Sequence, residues 1–158
     1  MTARMNPYAH GALTQPLIDF ATSSAAAGGL EHSLLDLVKI RASQINRCAI
    51  CLHMHSSDAR KAGETEMRVI MLDAWRESPL YSARERAALG WTDALTKLSQ
   101  GHTHDAAWDA LAEHFSEEER VKLTLLINVI NGWNRIAVGF GLYTDAATIR
   151  ASAKAVAA

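Results

Sequence analysis

Cys48-Ala49-Ile50-Cys51, followed by His55, is the part of this sequence whose residue types can do covalent chemistry. Two thiols three residues apart can close a disulfide, and an imidazole four residues beyond the second can reach its sulfur on one helix. At about 100° of rotation per residue, the three side chains fall within about 60° of one another. His53 projects from a different side of the same helix and is left out of the set. With Asn46 as the cap, Cys48 falls in the first helical turn, where unpaired N–H groups and the positive dipole end favour a thiolate. Arg47 adds positive charge there, which lowers a cysteine pKa further. Spacing alone leaves three kinds of site open. One is a redox pair, which is the expectation here. A zinc site would need a second ligand pair from another element, and His102 and His104 are the only clustered candidates. The plainest alternative is two small buried hydrophobes beside a solvated histidine.

The remainder of the chain must position these residues. Its 158 residues, 49% of them apolar, suffice for one compact domain over 1–158. The 16 Lys and Arg nearly balance the 17 Asp and Glu. With no broad positive field, neither nucleic acid nor an anionic membrane surface is expected as a partner. The first residues lead into Pro7-Tyr8-Ala9-His10 rather than into the apolar core of a secretory signal. The longest apolar stretch, 121–130, contains Lys122 and Asn128 and falls short of the roughly 20 residues a spanning helix requires. A cytoplasmic location is therefore expected. Two cysteines are too few for a disulfide scaffold, so their close spacing points to metal or redox chemistry.

The periodicity is helical throughout, with Ala, Leu, Arg, Glu and Lys recurring at intervals of three and four and no β-branched alternation. The expected fold is an all-α bundle of about eight or nine helices. Asn6 and Pro7 open the first, which runs to Gly28-Gly29. The second spans about 34–44. The third, capped by Asn46, carries the cysteines and ends near Gly63. A fourth covers 64–75, before the break at Ser78-Pro79. Ser82 with Glu85, and Ser116 with Glu119, have the capping-box pattern and open the fifth and seventh helices, with the sixth at 104–114 between them. Gly132 is expected to interrupt, so that an eighth helix spans 133–143, and Asp145 caps a terminal Ala-rich helix. Trp75, Trp91, Trp108 and Trp133 are read as packing or subunit contacts. Asn131, Trp133, Asn134 and Arg135 form a polar and aromatic cluster that could line the site or join subunits, and structural hydrogen bonding is the expectation. His10, His32, His102, His104 and His114 have no neighbouring nucleophile in sequence and are read as surface or satisfied histidines.

The stretch 34–55, LLDLVKIRASQINRCAICLHMH, resembles the core motif of the carboxymuconolactone decarboxylase superfamily, in its alkylhydroperoxidase D-like (AhpD-like) branch. Arg41, Ser43, Asn46, both cysteines and His55 all match. The likeness continues through SARERAAL at 82–89 and NGWNR at 131–135, and covers about 31–143. It implies an all-helical fold that assembles as homo-trimers or homo-hexamers. It also implies a peroxidase or disulfide-reductase activity with no bound metal, flavin or other prosthetic group. In such proteins the second cysteine of the motif is activated by the following histidine, and an acidic residue on the preceding helix completes a proton relay. Here those positions are Cys51, His55 and Asp36. Two departures stand out. The relatives usually have glutamate where this chain has Asp36, one methylene shorter, so that either a water spans the gap or the relay is weaker. Ile50 stands where relatives often carry an aromatic residue or histidine, which alters substrate access.

The reaction expected from this resemblance is attack of the Cys51 thiolate on a hydroperoxide, assisted by His55, to give a sulfenic acid that Cys48 resolves. The disulfide is then reduced by an external dithiol donor of the lipoyl or thioredoxin type. Three other functions compete. The dithiol can relay electrons to a separate peroxiredoxin. The superfamily also contains lactone decarboxylases, which do not need the cysteine pair. A non-catalytic module, zinc-stabilised or redox-sensing, is the third.

Overall fold

The computed structural model describes residues 3–26, 29–101 and 104–142. Among them lie seven α-helices and three short 3-10 turns, and no strand. The helices are α1 (Gly11–Ala26), α2 (His32–Ile45), α3 (Ala49–Lys61), α4 (Glu66–Met71), α5 (Ala83–Thr96), α6 (Asp105–His114) and α7 (Glu117–Phe140). The all-α expectation holds, with fewer α-helices than the eight or nine expected. The terminal helix expected from Asp145 lies outside the described residues. None of the described helices is long and apolar enough to cross a membrane.

Both capping boxes form. Ser82 and Ser116 accept from the backbone N–H three residues on, while Glu85 and Glu119 accept from the backbone N–H of the respective serine. Asn6 caps as expected, accepting from Tyr8 N–H at 3.0 Å, but the turn it opens is a 3-10 turn, Pro7–His10, that leads into α1. The expected interruption at Gly132 is absent, and α7 runs unbroken to Gly141, whose left-handed φ of 64° closes it. A glycine in a helix interior costs about 1 kcal/mol. Here the flanking Asn131 and Asn134 are tied by side-chain hydrogen bonds to α2, α5 and the turn after α2, which outweighs that local cost.

Helix α2 is the centre of the bundle because it is apolar on two sides. Leu34 and Val38 pack with Trp91, Leu111, Leu123 and Ile127 of α5, α6 and α7. Leu37 and Ile40 pack with Ala59, Leu72, Trp75 and Leu89 on the opposite side. The spacings of three and four that make each stripe are those of a helix surface. With both flanks anchored, α2 presents Asp36 and Lys39 from a fixed frame, and α7 crosses near its C-terminal half.

Candidate active site

The chain turns sharply between α2 and α3. Asn46 closes α2, its N–H bonded to Ala42 O at 3.0 Å, and Arg47 takes a left-handed φ of 55°. This corrects the expected cap. Asn46 does not open α3, because its side-chain amide donates instead to Asn131 Oδ1 at 2.8 Å and Asn134 Oδ1 at 2.9 Å on α7. Asn134 in turn donates to Ser43 Oγ at 3.1 Å. The structural role expected of Asn131 and Asn134 therefore holds, with Asn46 as the hub. Helix α3 begins two residues later than expected, with Cys48 in the extended conformation of an N-cap. It is thus Cys51, at the third helical position, that occupies the first turn and its positive dipole end.

Cys48 and Cys51 are joined as a disulfide, with Cα atoms 5.4 Å apart. Both are almost wholly buried, at 1% and 4% exposure, against Ala137 of α7 and the partly buried Ile50 and Leu142. Cys51 and His55 open together onto a cavity of about 370 Å³ between α1, α2, α3 and α7. Its walls are mostly apolar, including Ile50, Met54, Ile130 and Trp133. Ile50 is thus one of the side chains that line the space beside Cys51. Burial, with a smaller contribution from the charge of Lys39, pushes the His55 pKa down to about 4, against the opposing pull of Asp36 and Asp58. At neutral pH this imidazole is uncharged and can accept a proton.

Asp36 is buried, at 3% exposure, yet it forms no hydrogen bond with His55 among the described residues. Its Oδ1 accepts from Lys39 Nζ at 3.1 Å. Its Oδ2 is buried without a hydrogen bond, although the exposed His32 places Nδ1 at 3.2 Å in an ion-pair contact. The carboxylate reaches His55 through its field, and Lys39 stands as its bonded partner.

Arg41 of the motif is part of the scaffold. It clasps Asp93 of α5 through Nε at 2.6 Å and a second nitrogen at 3.3 Å, and also bonds Asp73 and Gln44. Trp75 and Trp91 are core residues, as expected. Trp133 instead lines the cavity, where its ring meets that of Tyr8 at 6.4 Å. Lys39 and Met54 line the site without having been singled out in the sequence, and Trp133 does so where a structural role was expected. For Trp133 there was a signal, the spacing of Leu126, Ile130, Trp133 and Ala137 along one face, but only if α7 is continuous through Gly132. His102 lies outside the described residues, and His104 is the N-cap residue of α6. Among the described residues, no group of three His, Cys, Asp or Glu converges as a metal site would require.

The profile of the carboxymuconolactone decarboxylase family matches residues 12–94. The uncharacterized protein YdfG of Bacillus subtilis is 47% identical over 112 residues, spanning 71% of this chain and 76% of that one. The uncharacterized protein YnjA of Escherichia coli is 32% identical over 103 residues, 65% of this chain and 56% of its own. Among solved structures, a protein of unknown function from Agrobacterium tumefaciens superposes with a TM-score of 0.81 at 42% identity, covering 91% of this chain and 99% of that one. An antioxidant-defence role of the AhpD kind has been suggested for that protein. The debrominase Bmp8 shares the fold alone, with a TM-score of 0.79 at 21% identity over 93% of this chain and 78% of its own.

Proposed function

This chain belongs to the carboxymuconolactone decarboxylase family, in its alkylhydroperoxidase D-like branch, and on that footing we propose that it is a thiol-dependent hydroperoxidase. The observation that carries this reading is the Cys48–Cys51 disulfide whose second sulfur opens, with a neutral imidazole, onto one apolar cavity.

In the reduced protein, His55 takes the Cys51 proton, and the thiolate is stabilised at the first turn of α3. The thiolate attacks the terminal oxygen of a hydroperoxide, so that the S–O bond forms as the O–O bond breaks. The His55 imidazolium returns the proton to the departing alkoxide, giving an alcohol and a Cys51 sulfenic acid. Cys48 then attacks the Cys51 sulfur, the disulfide forms and water leaves. An external dithiol closes the cycle. The near-complete burial of both sulfurs favours a slender lipoyl-type arm, which can enter the cavity, over a donor that needs an exposed disulfide. Asp36 supports the proton transfers by its negative field at His55.

Peroxide consumption by the reduced protein, with thiols counted before and after, tests this reading. Wild type is expected to lose two thiols per chain, Cys51→Ser to consume no peroxide, and His55→Ala to slow by about 10²-fold or more, the usual worth of a general base. Unchanged thiols in the wild type would overturn it.

A further inference from the structure

Under the mechanism above, His55 carries a single proton, so the departing alkoxide bears developing negative charge until that proton arrives. In an apolar cavity such charge is costly without a donor aimed at it. Among the described residues, Lys39 is the one lysine or arginine lining the cavity beside Cys51 and the uncharged His55. Among the described residues its ammonium makes a single hydrogen bond, to Asp36 Oδ1 at 3.1 Å. An ammonium has three N–H donors, so two remain for a ligand. Asp36 is the buried residue that fixes this group: Oδ1 holds Lys39, and Oδ2 is left without a hydrogen bond, with no bond spent on His55.

We propose that Lys39 is a catalytic residue whose ammonium donates to the leaving oxygen of the hydroperoxide, and that Asp36 is the positioning residue that aims it. The proposal rests on the hydroperoxidase reading. The electron pair of the Cys51 thiolate forms the S–O bond, the O–O pair departs on the alkoxide oxygen, and His55 supplies the proton that makes the alcohol. Lys39 keeps its own proton and stabilises the oxygen by charge and hydrogen bond, most strongly when the leaving group is a strong base.

The test is the single-turnover rate of thiol loss from the reduced protein with two oxidants, tert-butyl hydroperoxide and peracetic acid. The first releases a strongly basic alkoxide and the second a weakly basic acetate. Lys39→Met is expected to slow the alkyl hydroperoxide on the order of 10²-fold, the cost of removing one donor from an oxyanion site, and peracetic acid by less than about fivefold. Lys39→Arg is expected to recover most of the loss. Since Lys39→Met strands a buried carboxylate, the double variant Asp36→Asn, Lys39→Met is measured beside it, and the same leaving-group selectivity is expected. An equal loss with both oxidants, or no loss, would overturn the role of Lys39 while leaving wild-type turnover intact. A wild type that fails to react with either oxidant is a different result, visible before any variant is made, and it removes the hydroperoxidase reading together with this one.

Discussion

Asp93 and Asp36 are both buried carboxylates on neighbouring helices, and they are treated in opposite ways. Asp93 accepts two hydrogen bonds from Arg41 and one from Arg76 at 3.0 Å, and Lys97 stands at 3.9 Å. Asp36 has one hydrogen bond, from Lys39, and an oxygen with none. Buried acceptors are ordinarily satisfied, because leaving one unpaired costs about 1–3 kcal/mol. The saturated carboxylate lies where α2, α5 and the turn after α4 are clasped together. The unsatisfied one lies beside the cavity that holds Cys51 and His55. Full pairing suits a scaffold group, and incomplete pairing beside the cavity is what the proposed role of Asp36 calls for.

The contrast is broken most severely by Asp93→Asn. Removing one partner of a buried ion pair typically costs 3–5 kcal/mol, and since Asp73 still holds Arg41, the lower end, about 3 kcal/mol, is expected. The urea midpoint of the oxidised protein should fall accordingly, with the slope unchanged. A loss within experimental error would mean that the clasp contributes no net stability.

On the Asp36 side, pH rather than pairing sets the balance. His55 holds its proton only near pH 4 when folded, against about 6.5 in an unfolded chain. As pH falls from 6.5 towards 4, the unfolded state binds a proton that the folded state refuses, so stability declines over that window and levels off below it. At about 1.4 kcal/mol per pKa unit the effect has a ceiling of about 3 kcal/mol. His55→Gln should remove it, and urea unfolding of variant and wild type at pH 7 and pH 4.5 measures the difference. Parallel losses in the two proteins would show that His55 is not the group responsible.

What could be read in the sequence was what is local. The two capping boxes, the cysteine spacing and His55 one turn beyond all depend on contacts within a few residues, and all formed. Asn46 failed as a cap because the groups that claim its amide are Asn131 and Asn134, far along the chain. The same long-range hydrogen bonds carry α7 through Gly132, where local propensity predicted a break. Trp133 was given a structural role for that reason, its face being legible only in a continuous helix. Nothing in the local sequence marks Lys39, and only the approach of α3 and α7 makes it part of a cavity wall. Asp36 was found through the resemblance to known relatives, while its bond to Lys39 rather than to His55 required the structure.

The smallest effect is expected from the substitution that mirrors the first, Asp36→Asn. An asparagine oxygen can still accept from Lys39, whose side chain is 25% exposed and regains water where the ion pair is lost. Neutralising the carboxylate also relieves the burial of a charge whose second oxygen has no hydrogen bond, only the His32 contact at 3.2 Å. The lost attraction and the relieved desolvation oppose each other, so the change in unfolding free energy should lie within about 1 kcal/mol of zero. Asp93→Asn and Asp36→Asn thus exchange the same atoms at similar burial, and any difference in their urea midpoints reports how fully each carboxylate was paired. Equal losses would place Asp36 in the scaffold with Asp93. A near-neutral midpoint combined with slower peroxide turnover would instead assign its charge to the chemistry in the cavity.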